Sequence, residues 1–273
     1  MRYKFLSLLT AVIILFSCKK EYEPIKEQSP AEQVPVVLLK DIEIPHLPSP
    51  FYHFEYNAEG KVTGASFASG LTMYNVVYNG GRIIEMKNNI VVNKDRIQYF
   101  YDHDGRVNAI QFADSTGVVF RRSYLTYDEK KLIKIVWERK SGADFIFEKS
   151  MEMIYQADGN LQELTHHHPP MNGQDATTYT DHFGQYDTGI NVDGFSLLHQ
   201  EFFEHLILLP GVQLQKNNPR TLLHTGDGIN YKVDYNYTYN DKNLPLAKTG
   251  EFLYLNGSEE GQRYPTSSVF SYY

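Results

Sequence analysis

The chain has 273 residues, with 26 lysines and arginines against 33 aspartates and glutamates, and it contains one cysteine. The acidic excess argues against a nucleic-acid partner, because binding to phosphates needs a basic surface. A single cysteine excludes an intramolecular disulfide framework and a cysteine-rich zinc site. The mean hydropathy of −0.42 excludes a helical membrane protein with more than one spanning segment.

The first residues have the composition of a secretory signal peptide. Residues 1–4 include Arg2 and Lys4, and an apolar run from Phe5 to Phe16 follows them. This run is shorter than the roughly 20 apolar residues that a helix needs to span a bilayer. We therefore predict that residues 1–17 are a signal peptide that is removed from the mature chain.

The end of this segment, Leu15-Phe16-Ser17-Cys18, resembles a bacterial lipobox. In such a motif the signal peptide is cut before the cysteine, and the thiol receives diacylglycerol. The resemblance implies that Cys18 is lipidated and holds the protein at the outer membrane, on its periplasmic or cell-surface face. The alternative is a signal sequence with an incidental cysteine. The charged residues 19–23 fit either a surface-export signal or a plain solvated tether.

A proline-rich stretch follows the cysteine. Residues 19–50 contain six of the twelve prolines and no glycine, which favours an extended and semi-stiff chain. We predict that residues 18–50 are the lipidated cysteine and its tether. Within it, residues 36–39 are apolar enough to add an edge strand to the body of the protein, which we place at residues 51–273.

From residue 51 a short unit recurs. It consists of an aromatic-rich strand, a tyrosine followed in most copies by Asn or Asp, a turn that often contains glycine, a basic or amide residue, and an aliphatic strand. An Asn or Asp side chain hydrogen-bonds the backbone two residues on, and glycine supplies a positive φ. Each copy therefore predicts a β-hairpin. The tyrosines of the repeat are Tyr56, Tyr78, Tyr101, Tyr127, Tyr155, Tyr186 and Tyr239.

Hairpins in series define the expected fold class. We predict an all-β protein in which an antiparallel up-and-down meander forms a large curved sheet or a partly closed barrel. Residues 231–239 alternate aromatic and polar side chains, so their tyrosines are expected to face the core. If that face were exposed, it could stack on sugars. Apolar residues at steps of three and four predict one amphipathic helix over residues 196–209, covering one end or face of the sheet.

The repeated unit resembles the YD or RHS repeat. Together with the lipobox, it resembles a family of Gram-negative envelope lipoproteins of unknown function with a porin-like β fold. The resemblance covers most of residues 51–273 and implies an architecture but no catalytic residue. The chain departs from the regular repeat of RHS toxins, because its period drifts and a helix interrupts it. A toxin-encapsulating role is therefore not expected.

Three segments invite a metal hypothesis, and each has a simpler interpretation. In residues 166–168, adjacent histidines of a strand would point to alternate faces. His199 and His205 are six residues apart, which differs from the four-residue spacing of a metalloprotease helix, and we interpret Glu201 and His205 as a surface pair. Residues 102–105 begin like a calcium loop, but sister repeats place the same residue types in a turn. We predict no metal, cofactor-binding or catalytic residue.

These observations favour a non-catalytic, lipid-anchored envelope scaffold that binds an extracellular or periplasmic partner, either a glycan or a protein. Two alternatives remain open. One is a glycan-acting enzyme whose carboxylates come from distant parts of the sequence. The other is a transmembrane β-barrel, which fits the aromatic residues at the end of the chain but makes a lipid anchor redundant. Nucleic acid is not an expected partner.

Overall fold

The computed structural model describes residues 37–90, 94–171, 173–201 and 205–273. The predicted signal peptide, the lipidation site Cys18 and most of the predicted tether lie outside these residues. The described residues contain no helix that is long and apolar enough to cross a bilayer.

The described part of the chain forms sixteen strands and one short helix. The elements are β1 (Leu39–Glu43), β2 (Tyr52–Tyr56), β3 (Val62–Phe67), β4 (Thr72–Asn79), β5 (Arg82–Asn88), β6 (Arg96–Tyr101), β7 (Val107–Ala113), β8 (Val119–Asp128), β9 (Lys131–Ser141), β10 (Asp144–Tyr155), β11 (Leu161–His168), β12 (Thr177–Gly184), α1 (Phe195–Glu201), β13 (Thr221–Gly226), β14 (Tyr231–Tyr239), β15 (Pro245–Tyr254) and β16 (Arg263–Tyr272).

Each strand pairs antiparallel with its neighbours in the chain, and β1 pairs with β16 to close a barrel. The predicted all-β antiparallel meander is confirmed, and the sheet closes completely. β1 lies inside the stretch that the sequence assigns to the tether, so the barrel begins at Leu39. An edge strand was expected near this point, but β1 has a partner on both sides because it also pairs with β2. Closure leaves the sheet without an edge, which removes a template for aggregation.

The strands alternate between an apolar inner face and a more polar outer face. In β4, Thr72, Tyr74 and Val76 are buried, while Met73, which lies between the first two, is exposed. In β9, Leu132, Ile135 and Trp137 are buried in the same hydrophobic core. Some outward positions of neighbouring strands carry opposite charges, as in the pair of Arg122 and Glu138. Inward burial of large apolar side chains from all around the barrel is the main stabilising contribution to the fold.

The predicted helix over residues 196–209 is present only in part. α1 ends at Glu201, and residues 205–209 are not helical. Leu206 and Ile207 are both buried although they are adjacent in the sequence. A helix with one apolar stripe would expose one of them, but this segment is surrounded by protein on more than one side. We call the described residues 185–201 and 205–220, which connect β12 to β13, the plug.

The plug lies in the lumen, where α1 covers part of the inner face of the sheet. Leu198, Leu206 and Ile207 of the plug belong to the same core as the inward side chains of the strands. The ring of Phe195 packs edge-on against Tyr52 and Phe54 of β2, at 5.1 Å from each ring centre. The inner wall of the barrel therefore packs against a segment of the same chain.

Candidate functional site

A ladder of tyrosine hydroxyls lines the end of the barrel where the repeat turns lie. Six of the seven repeat tyrosines, together with Tyr272, lie at or near the end of an even-numbered strand or just after it. Each donates a hydroxyl hydrogen bond to a carbonyl at or near the start of the preceding odd-numbered strand. The exception is Tyr239, which donates to the side chain of Asp187. Seven such bonds have lengths of 2.6 to 2.9 Å. The donors and acceptors are Tyr56 to Leu39, Tyr78 to Val62, Tyr101 to Ile83, Tyr127 to Val107, Tyr155 to Leu132, Tyr186 to Leu161 and Tyr272 to Pro245.

The residue after the tyrosine closes the turn. Asp102 Oδ1 accepts hydrogen bonds from the backbone N–H groups of Asp104, at 3.0 Å, and Arg106, at 2.9 Å. Gly105 has a φ of 80°, which residues with a side chain rarely adopt. Turn geometry therefore accounts for residues 102–105. No group of three or more His, Cys, Asp or Glu side chains in the described part of the chain is arranged to hold a metal ion.

In the repeats that begin with Tyr56, Tyr78, Tyr101 and Tyr127, the basic residue lies over the tyrosine of the next repeat. The guanidinium of Arg82 is 5.3 Å from the ring centre of Tyr101, and that of Arg106 is 5.3 Å from the ring centre of Tyr127. Such cation–π contacts are worth about 0.5–1 kcal/mol at exposed sites. The recurring basic position is therefore a contact between repeats, a role that its sequence position alone does not reveal.

Burial raises the pKa of the ladder tyrosines. The pKa of Tyr56 and of Tyr127 rises to about 12 in each case, because the charged phenolate would lose its hydration. The hydroxyls therefore remain protonated donors well above neutral pH. The ladder hydrogen bonds at this end of the barrel therefore persist at neutral pH.

The plug is anchored where the repeat is interrupted. Asn160 Oδ1 accepts hydrogen bonds at 2.9 Å from the backbone N–H groups of both Lys216 and Asn217. The hydroxyl of Tyr239 donates to Asp187. A Cβ atom at Gly189 would lie 2.3 to 2.6 Å from the ring of Tyr239, so only glycine allows this close approach.

The two histidines of the plug contact different parts of the wall. His199 Nδ1 is 2.8 Å from the Tyr52 hydroxyl, and its ring meets Phe67 edge-on. His205 is 1% exposed and lies 3.3 Å from Asp95. The predicted surface pair of Glu201 and His205 is therefore wrong, because His205 lies beyond the helix and inside the barrel.

The three consecutive histidines do point to alternate faces. His166 is buried and stacks on Tyr179 of β12, with ring centres 4.5 Å apart. His167 points outward, and its Nδ1 is 3.1 Å from Thr178 Oγ1. The prolines after them begin the next loop.

The stack continues across the neighbouring strands of the inner wall. Tyr179 contacts His224 of β13, and His224 stacks on Tyr231 of β14, with ring centres 4.6 Å apart. Asp181 Oδ1 is 2.6 Å from His224 Nδ1, and its Oδ2 is 3.8 Å from His166 Nε2. Sequence reasoning missed this cluster, because its members come from four strands and only the registers of the strands align them.

A luminal cavity of about 190 Å³ lies between the plug and strands β1, β2 and β14–β16. Lys248 reaches into it from β15, with its Nζ 4.5 Å from the ring centre of Tyr235. Asp193 faces Lys248 from the plug, at 3.8 Å between Nζ and Oδ2. The negative charge of Asp193 adds to burial in raising the pKa of Tyr52 and Tyr235. This cavity brings together charge, hydroxyls and aromatic rings.

A larger groove of about 840 Å³ lies at the turn end, between two repeat turns and Pro210 and Gly211 of the plug. Its basic side chains include Arg106 and Lys131, which lie over the rings of Tyr127 and Tyr155. These groups are engaged in contacts of the ladder. The luminal cavity differs from this groove, because a cation and a carboxylate face each other there beside aliphatic hydroxyls, and we take it as the candidate ligand site.

Solved structures with a similar fold are known. No family model and no curated protein matches the chain. Among solved structures, it is similar to a porin-like protein from Bacteroides uniformis ATCC 8492, with 14% identity and a TM-score of 0.55, over 81% of this chain and 89% of the other. It is also similar to a porin-like protein from Bacteroides vulgatus ATCC 8482, with 16% identity and a TM-score of 0.55, over 86% of this chain and 99% of the other. The chain therefore shares the β-barrel fold of these proteins.

Proposed function

We propose that the protein is a lipid-anchored lipoprotein of the cell envelope whose barrel is a non-catalytic binding scaffold. The observation that carries this proposal is the filled lumen. The plug contributes Leu198, Leu206 and Ile207 to the core of the barrel. A wall packed around its own chain is suited to presenting surfaces and small cavities, and it differs from the aqueous channel of a large porin.

The charges of the outer wall support a barrel in water over the transmembrane alternative. Arg122 Nε is 2.6 Å from Glu138 Oε2, and Lys134 Nζ is 2.7 Å from Glu152 Oε1, both between neighbouring strands. A transmembrane barrel has the opposite arrangement, with apolar residues toward lipid and polar residues toward the lumen. The porin-like description of the two Bacteroides proteins supports an envelope location, and the lipobox at Cys18 supplies the means of attachment.

Fractionation of cells that express the full chain tests the anchor. The wild-type protein is expected in the membrane fraction after a high-salt wash and to incorporate labelled fatty acid. Cys18→Ala is expected to lose the label and leave the membrane fraction, because a thiol is required for acylation. Ser17→Ala, one residue earlier, is the matched control and should behave as wild type. Absence of label from the wild-type protein, or equal labelling of Cys18→Ala, would contradict the lipid anchor.

A further inference from the structure

A glycine on the inner wall lets two residues that line the luminal cavity pack closely against β15. Gly250 lies between Lys248 and Phe252 on β15, at a position whose cross-strand neighbours are Tyr235 and Thr266. A Cβ atom there would lie 2.8 Å from Tyr235 Cδ1 and 3.2 Å from Thr266 Cγ2. A larger residue would therefore displace two side chains that line the cavity. Glycine weakens a strand interior because it has no side chain to pack. Where it occurs there, it often marks a site at which another group approaches the backbone closely.

The charges of the cavity balance each other without forming a tight pair. The 3.8 Å between Lys248 Nζ and Asp193 Oδ2 exceeds the normal length of a hydrogen bond. The two side chains are 24% and 17% exposed, so solvent reaches both. Each can therefore hydrogen-bond a ligand. A ligand with a net charge would be attracted by one group and repelled by the other, so the pair favours a neutral molecule.

The remaining walls offer hydroxyls and rings. Ser196, Thr266 and Ser268 bring aliphatic hydroxyls, each of which can both donate and accept a hydrogen bond. Tyr235 and Phe252 bring aromatic rings. Groups that donate and accept at several points, next to apolar ring surface, match a molecule with many hydroxyls and an apolar face. The volume of about 190 Å³ is below the roughly 300 Å³ of typical drug-sized sites, so one ring fits and a chain does not.

We propose that the luminal cavity binds a single neutral sugar ring, with Lys248 and Asp193 hydrogen-bonding its hydroxyls and Phe252 packing against its C–H face. This inference deepens the proposed scaffold function and rests on it for access to an envelope ligand. An amino acid is the competing occupant, since it could also place a carboxylate at Lys248 and an ammonium at Asp193. Three aliphatic hydroxyls beside one ion pair favour the sugar.

Calorimetric titration of the full chain tests the proposal. The protein is purified in a detergent without a sugar headgroup and titrated with methyl β-glucopyranoside, methyl β-galactopyranoside and, separately, leucine. One of the pyranosides is expected to bind. Lys248→Met and Ser268→Ala are expected to weaken that binding, the first by about tenfold, because a hydrogen bond to a charged group is lost. Ser268→Ala removes one oxygen atom and covers the case in which Lys248→Met fails to fold.

Lys232→Met is the matched control, because Lys232 lies on the outer face of β14 with its Nζ 2.9 Å from Asp234. It should bind as wild type. Binding of neither pyranoside, or binding that both cavity variants leave unchanged, would overturn the proposal. Binding of leucine in place of the sugars would also overturn it. The result is independent of the fractionation of Cys18→Ala, so the anchor and the sugar site can fail separately.

Discussion

The repeat tyrosine has different surroundings in two regions of the barrel. These regions are the regular hairpins from β2 to β11 and the interrupted stretch from β12 to β14. In the regular part, Tyr155 donates to the Leu132 carbonyl at 2.8 Å, and the chain turns at once into the adjacent strand. After β12, Tyr186 donates to the Leu161 carbonyl at 2.7 Å, but the chain then enters the lumen as the plug. The hydrogen bond of the repeat tyrosine therefore holds the barrel wall together whether a hairpin or the plug follows it.

In β14 a different tyrosine makes the ladder hydrogen bond. Tyr237 donates to the Pro219 carbonyl at 3.1 Å and so makes a ladder bond in place of the repeat tyrosine. The repeat tyrosine, Tyr239, instead contacts Asp187 and Asn218 of the plug. A repeat position can thus change from holding the wall to holding an insertion while the strand pairing is unchanged. Three predictions break or sharpen this comparison.

The largest expected effect is alkaline unfolding of the whole barrel. The folded-state pKa of Tyr56 and Tyr127 is about 12, above the ordinary value of 10.0. Between these values the unfolded chain releases protons that the folded chain retains. The stabilising contribution is therefore fully present below pH 10 and is lost as the pH rises through 12.

Urea unfolding at a series of pH values, with tyrosinate absorbance recorded in parallel, checks this expectation. Tyr239 should ionise after Tyr127, because its hydrogen bond to Asp187 raises its pKa further in addition to burial. The variants Tyr239→Phe and Tyr127→Phe assign the two signals. Stability that stays constant from pH 10 to pH 12 would contradict the burial of the ladder.

The next effect concerns the plug alone. Gly189→Ala is expected to destabilise the protein by about 1–3 kcal/mol, because the added methyl group overlaps the ring of Tyr239. Gly194→Ala is the matched control within the plug, since a Cβ there would meet its nearest neighbour, Asn191 Oδ1, at 3.4 Å. Urea unfolding measures the difference. Equal stability of the two variants would show that the plug is not held at Tyr239.

The smallest effect concerns one ladder bond of the regular part. Tyr127→Phe removes the hydroxyl that donates to the Val107 carbonyl at 2.9 Å and is expected to cost about 1 kcal/mol. Tyr124→Phe lies on the same strand but at an exposed outward position, and should change stability by less than about 0.5 kcal/mol. If both variants lose the same free energy of unfolding, the ladder bond contributes nothing beyond the ring.

The strand order could be predicted because the repeat tyrosine and its turn are local signals. Asp102 and Gly105 are only three residues apart, and their roles follow from turn chemistry. Complete closure could not be predicted, because it depends on β1 meeting β16 across most of the chain. The end of α1 was missed for a similar reason. The helix was predicted from the spacing of apolar residues in 196–209. That spacing cannot show that residues 205–209 are surrounded by protein on more than one side.

The candidate site was less accessible from the sequence than the fold. Lys248 and Asp193 lie in different elements, and neither belongs to a recognisable motif. The prediction that the tyrosines of residues 231–239 face the core placed Tyr235 correctly on the inner face, but it could not show a cavity beside it. Gly250 was a signal, since a glycine within a strand often marks a close approach. Its partners become evident only with the strand register.

The pairing of β1 with β16 has a consequence for how the protein folds. Across this seam Ser271 Oγ donates a hydrogen bond to Asp41 Oδ2 at 3.1 Å, a contact between residues 230 positions apart. Contacts of such long range form slowly, because the entropy of closing the loop is lost before the contact forms. During folding, one side of β1 therefore stays unpaired until β16 pairs with it. In that interval the unpaired edge is a template for association with another chain.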